Sequence, residues 1–248
     1  MDNLVFVIAH HSTTPHHTHL LIRCLKSIRD IYKENKILVC KTSTSVIEDN
    51  ITQEFNIIIE NTMYNGSHIY GAICCIISNK FEKFILLHDS MMLLKELPLS
   101  ILHLNIFYLW HFDGCREDHS NRIRSHLNAA NVSAELTNTL VAKFENYSGW
   151  KGCFGPAFGG NYESLYKIYD FLKLNTTIKD YAGRMELMCA ERFISVVANF
   201  MNLVSIHSLN GSIFNQPLAF TDSKNVDIEY IKKLNYDGYF FKFWVGRD

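Results

Sequence analysis

Four apolar residues, Phe84-Ile85-Leu86-Leu87, run straight into His88-Asp89-Ser90, and a second apolar run, Met91 to Leu94, follows at once. A carboxylate delivered to the end of such a segment needs a reason, because an unpaired acid is costly beside an apolar interior. Two readings stand side by side: Asp89 binds a divalent cation or the ribose of a nucleotide, with His88 assisting, or it caps a turn. Polar groups close other apolar runs in the same way. His10-His11-Ser12-Thr13 follows Leu4 to Ala9, and Asn61-Thr62 comes shortly after the isoleucine-rich run Phe55 to Ile59. His111 and Asp113 are two apart at the end of Ile106 to Trp110, which puts them on one face of a strand, where they line a ligand pocket or solvate a strand end. The cluster His10, His11, His16, His17 and His19 matches no established zinc spacing, and Pro15 is expected to break any helix before Thr18, so a polar loop over a nucleotide is the better account.

The elements that must position these groups follow from apolar periodicity. Leu4 to Ala9, Lys36 to Cys40, Phe55 to Ile59 and Phe84 to Leu87 have strand length and apolar or β-branched character. Between the first two, Leu20, Leu21, Cys24, Leu25, Ile28 and Ile31 recur at helical spacing. After a turn at Asn65-Gly66, the segment Ser67 to Ser78 places Ile69, Ile73 and Ile76 on one side, with Gly71 and Ala72 allowing close approach. Strands that are apolar without alternation are buried on both faces, and joined by helices they predict a mostly parallel, right-handed wound sheet flanked by helices. In such sheets a ligand lies beyond the carboxyl ends of the strands. That rule predicts that the loops after strands one, three and four converge, and it nominates His10, His11, Ser12, Thr13, Asn61, His88, Asp89 and Ser90.

Beyond residue 100 the pattern is less regular. Ile106 to Trp110 predicts a strand, Ile123 to Phe144 a weaker helix, Trp150 to Phe158 a Gly-rich strand or loop, Tyr162 to Leu172 and Met185 to Met201 helices, and Leu203 to His207 a last strand. The run Tyr239-Phe240-Phe241-Lys242-Phe243-Trp244 is too aromatic for water, so it packs over the sheet or meets another chain in a homo-oligomer.

No repeat or Pro/Gly/Ser-rich linker divides the 248 residues, and 48% apolar with 20% charged composition predicts one globular domain spanning 1–248. A formal charge of −1 supplies no field for a polyanion, which argues against nucleic acid or an anionic membrane as partner. Seven scattered cysteines, mostly in apolar runs, predict reduced, buried thiols. The N-terminus has no basic region and its first apolar run is too short to span a membrane, which predicts a cytoplasmic protein without a transmembrane segment. A P-loop, a G-x-G-x-x-G after the first strand and a G-x-S-x-G elbow are all absent, so kinases, dinucleotide oxidoreductases and α/β-hydrolases lose their main support.

A strand ending at His88-Asp89-Ser90, preceded by Asn65-Gly66-Ser67 with Gly71-Ala72, resembles the N-terminal half of the GT-A nucleotide-sugar glycosyltransferases. The resemblance covers residues 1–100 and implies a Rossmann-like nucleotide-binding half, with residues 101–248 as acceptor half and C-terminal tail. The family's triplet is Asp-x-Asp, whereas here Asp89 stands alone between His88 and Ser90, with Met91 following. The resemblance implies a manganese or magnesium ion on the donor diphosphate at the triplet, with His88 as a replacement ligand for manganese, and a nucleobase held by the first strand's loop. Asn65 would join the donor site, and His111 with Asp113 the sugar pocket. It further implies that His207 completes the metal shell with Asp89, although a structural histidine fits as well. Glu191, and after it Glu186, would be the catalytic carboxylate beyond the Gly-rich segments Trp150 to Gly155 and Phe158 to Gly160. Either acid also fits a role in the helix dipole or a surface pair with Arg192. The implied activity is transfer of a sugar from a nucleotide-sugar donor to a glycan or other hydroxyl acceptor. The missing second acid keeps open a non-catalytic sugar-nucleotide or glycan-binding domain. A nucleotidyltransferase is the third reading, although its usual Gly-rich basic loop is not matched by the His/Thr loop here.

Overall fold

The computed structural model describes residues 3–10, 15–42, 45–62, 68–113, 119–146, 150–177, 184–206, 208–219, 221–223 and 225–244; at positions 15–17, 68, 184, 186–187, 190 and 206 only the backbone is described. β1 (Leu4–His10) is buried at every residue. Leu4, Phe6 and Ile8 face one core layer and Val5, Val7 and Ala9 the other, the two-residue period of a strand covered on both sides. α1 (Pro15–Ile31) returns over the first layer with Leu21, Cys24, Leu25 and Ile28. Helix is therefore present before Thr18, contrary to expectation, because proline at the first helical position loses no bond that the helix would have made. β2 (Ile37–Thr42) is followed by α2 (Asp49–Phe55) and β3 (Ile57–Thr62). Phe55 thus closes a helix rather than opening the third strand, and Asn56 turns the chain with a left-handed φ of 45°.

α3 (His68–Asn79) crosses the opposite face, where a Cβ on Gly71 would stand 2.6 Å from Thr62 Cβ, so the expected close approach requires glycine there. β4 (Lys83–His88) completes the central trio: Ala9 of β1 pairs with Cys40 of β2 on one side and with His88 of β4 on the other, all parallel. β5 (Met91–Leu93) then leaves that sheet. The strand expected over Ile106 to Trp110 ends early, as β6 (Ile106–Tyr108), and β7 (His111–Phe112) pairs elsewhere. The single helix expected over Ile123 to Phe144 is two, α4 (His119–Ala129) and α5 (Ala134–Glu145). Asn131 takes a φ of 57° between them, and Ser133 caps the second helix by accepting from the Leu136 N–H.

β8 (Gly152–Cys153) pairs with β7, and β9 (Phe158–Asn161) inserts antiparallel between β4 and β6. α6 (Tyr162–Phe171), α7 (Leu174–Thr177) and α8 (Arg184–Phe200) lead to β10 (Val204–Ile206), parallel to β6. α9 (Ile228–Lys233) precedes β11 (Phe240–Lys242), which pairs antiparallel with β5 and buries Phe240 and Phe241. The aromatic tail therefore packs within this chain. Among the described residues the main sheet has seven strands in the order β10-β6-β9-β4-β1-β2-β3, parallel except for β9. α1 and α2 cover one face, and α3, α4, α5, α6 and α8 the other. Cys24, Cys40, Cys75, Cys153 and Cys189 are buried free thiols, and no described helix is long and apolar enough to cross a membrane.

Candidate functional site

β1 and β4 stop at one edge of the sheet. The Asp89 N–H donates to the Ala9 carbonyl at 3.4 Å, one step past the Ala9–His88 rung, which holds Asp89 beside the end of β1. There His10 Nδ1 meets Asp89 Oδ2 at 2.7 Å. A carboxylate only accepts, so Nδ1 carries the proton and donates it. His10 is fully buried, the Asp89 side chain is 13% exposed, and His10 Nε2 has no partner among the described residues. Burial alone would raise the Asp89 carboxyl. The bond and charge of His10, with the charges of Lys242 and His88, outweigh burial and hold it below the usual carboxylate range.

Ser90 passes the chain into β5, and β11 brings Lys242 opposite Met91. The Lys242 main chain is fixed twice by Gln216, which accepts from its N–H at 2.8 Å and donates to its carbonyl at 2.9 Å. The next residue, Phe243, donates its N–H to the Ser90 carbonyl at 2.8 Å. Lys242 Nζ donates to Ser90 Oγ, and its charge is felt by both Asp89 and Glu191. Burial pushes this amine down to about 8, although Asp89, Glu191 and Cys24 pull it upward.

Glu191 comes from α8. Ser195, one turn on, accepts from the Cys153 N–H at 2.8 Å and donates to the Glu191 carbonyl at 2.7 Å, tying β8 to this part of the helix. The turn after β8 holds Gly155 at a φ of 59°, and its main chain hydrogen-bonds the Glu191 carboxylate. A Cβ on Gly155 would lie 3.8 Å from His88 Nε2, so this left-handed turn joins Glu191 to the end of β4. Burial pushes the Glu191 carboxyl up to about 7 against the opposing pull of Arg192, Lys242 and Gly155. With side chains 11% and 19% exposed, Arg192 and Glu191 are not the surface pair that one reading of the sequence allowed. Arg192 also stands 3.8 Å off, its Nη1 donates to the Met188 carbonyl at 2.8 Å, and its guanidinium lies over the Phe112 ring.

The structure thus gathers His10, His88, Asp89, Ser90 and Glu191 from the sequence-nominated residues, and adds Lys242, Gly155 and Gln216. Asn61 is the penultimate residue of β3 at the sheet margin, two strands from His10, and is exposed. It shares the row His10–Lys41–Asn61, with β2 between it and His10. His111 is half-buried opposite Cys153 on the hairpin that leads to Gly155, whereas Asp113 is exposed and paired with Lys151. The two do not share a strand face, because the strand that would have aligned them ends at Tyr108. His11, Ser12, Thr13, Asn65 and His207 lie outside the described residues, as does the side chain of Glu186 in the first turn of α8. Lys242 had one signal in the sequence: it is the sole charge in a six-residue aromatic run, and buried lysines are rare without acidic partners.

A manganese or magnesium ion takes about six oxygen ligands. Here one Asp89 oxygen is engaged by His10, the Lys242 ammonium is bonded to the adjacent Ser90, and no three His, Cys, Asp or Glu side chains gather around a common point among the described residues. Asp89 is the carboxylate that such an ion would take among the described residues, and His207, which would complete its shell, lies outside them. Two surface cavities of about 470 Å3, one along α1 beside Arg23, Lys26, Asp227 and Lys232, the other at the amino end of β4 beside Lys83 and Asn161, are lined by none of the nominated residues. No protein-family model matches this chain and no curated protein matches it, so the chemistry of the site rests on the geometry of His10, Asp89, Glu191 and Lys242.

Proposed function

We propose that the chain is a nucleotide-sugar glycosyltransferase of the GT-A kind, with Asp89 on the donor and Glu191 on the acceptor. The reading is carried by the geometry at the carboxyl edge of a mostly parallel sheet, where such folds hold ligands: His10 is bonded to Asp89, Lys242 is bonded to the adjacent Ser90, and the Gly155 turn lies beside the end of β4. Asp89 is kept ionised, and with Oδ2 occupied by His10 its other oxygen accepts hydrogen bonds from the ribose hydroxyls. Glu191 has a proton affinity near neutrality, the range in which a general base works best. In an inverting transfer it takes the proton from the acceptor hydroxyl as that oxygen attacks the anomeric carbon. The bond from that carbon to the diphosphate breaks, and its electron pair leaves on the diphosphate.

Incubation with UDP-, GDP-, ADP- and CDP-sugars, with and without simple sugar acceptors, tests this. Turnover of at least one donor is expected, reduced about 10–100-fold in Asp89→Ala through loss of charge-assisted hydrogen bonds. No turnover with any donor would end the transferase reading, and nucleoside diphosphate binding without turnover would leave a binding module in its place.

A further inference from the structure

We infer that the Lys242 ammonium receives the donor's diphosphate, in the role that a divalent ion would otherwise fill. This rests on the donor site proposed above. A diphosphate brought beside Asp89 meets like charge and needs a cation on the spot. The described residues set one acid at this strand end, and they build a lysine onto Ser90 beside it. Its position is over-determined: Gln216 fixes its main chain at both polar groups, β11 is tied to β5, and Phe243 is tied to Ser90. Arg23 reinforces the end of that strand from α1, donating to the Val226 carbonyl and lying 4.0 Å from the Phe243 ring centroid.

An ammonium has three N–H donors. Ser90 Oγ takes one, and the charges of Asp89 and Glu191, neither of them on β11, act on the amine. Among the described residues that is its one hydrogen bond, which leaves two donors to turn toward phosphate oxygens while Ser90 keeps the amine beside the end of β4. A purely structural lysine could have lain along the apolar surface with its head in water, as lysines ordinarily do. This one is instead drawn into a group whose acids come from the strand-end turn and from α8.

Calorimetry on the full chain with UDP, GDP, ADP and CDP, and with inorganic pyrophosphate, separates the outcomes. Nucleoside diphosphate affinity is expected to be the same in chelator and in manganese. It should fall about 10–100-fold in Lys242→Gln and Lys242→Met, the loss of a charge-assisted bond, and be largely kept in Lys242→Arg. The uncharged nucleoside should bind all four proteins alike. Binding that vanishes in chelator and returns with manganese overturns the inference and leaves the donor site standing, and it needs no variant to fold. Unchanged affinity in a folded Lys242→Met, checked by its melting curve, overturns it equally. No diphosphate binding under either condition removes the donor site and the inference together.

Discussion

Asp89 and Glu191 have side chains of similar exposure, 13% and 19%, and both feel the charge of Lys242, yet their surroundings drive them in opposite directions. At the end of β4, a close hydrogen bond from His10 and the charges of Lys242 and His88 more than repay the desolvation of Asp89. On α8, Glu191 has one main-chain donor and an arginine 3.8 Å away that is engaged elsewhere, so desolvation wins. The number and aim of donors, rather than burial, decide the protonation of each acid, and separated proton affinities mark separate tasks. The sharpest way to break this division is kinetic. Glu191→Gln should lower kcat by about 10²–10⁴-fold, the usual worth of a general base, while nucleoside diphosphate affinity stays as in the parent protein. A variant that instead loses affinity and keeps kcat would put Glu191 on the donor.

Stability against pH reads the same contrast without a substrate. Glu191 has its folded proton affinity raised, so its contribution to stability is full below its ordinary value of 4.5 and is lost as pH climbs through about 7. Asp89 has its folded affinity depressed, so its contribution is full above its ordinary value of 3.8 and is lost as pH falls through the lower folded value. Urea midpoints measured from pH 3 to pH 8 should therefore show Glu191→Gln flattening a decline toward neutral pH, and Asp89→Asn removing a decline toward acid. Difference curves of the same sign would mean that the two acids share one environment. The activity profile gives a companion reading, with a rising limb near pH 7 from Glu191 that Glu191→Gln abolishes.

The half of the site around Asp89 was legible from the sequence because its determinants are local. Continuous apolar runs mark β1 and β4, helical spacing marks α1 and α3, and the strand-end rule carries His10 and Asp89 to one edge. Lys242 was not legible, since its place depends on β11 pairing with β5 and on a bond to Ser90 across a separation of 152 residues. The setting of Glu191 was hidden for a related reason, because the left-handed turn at Gly155 that reaches it is a backbone conformation rather than a periodic pattern. The same holds at Asn131, where one left-handed residue splits an apparent helix in two. Pattern reading failed where a single dihedral angle or a distant partner made the decision.

Asp113 supplies the smallest test and the control for the other two. Like Asp89 it follows an apolar segment and has a bonded nitrogen partner, but its side chain is 59% exposed and that of Lys151 is 38% exposed. Water solvates both charges there, so the pair gains little from attraction, and holding two mobile side chains together offsets part of that gain. Asp113→Ala should change stability by about 0.2–1 kcal/mol, measured by urea denaturation, and should be weaker still in high salt. Donor turnover should stay close to that of the parent protein. A large loss of turnover in Asp113→Ala with stability intact would place this carboxylate on the sugar and widen the site beyond the cluster at Asp89, because nothing in its own pairing could produce that effect.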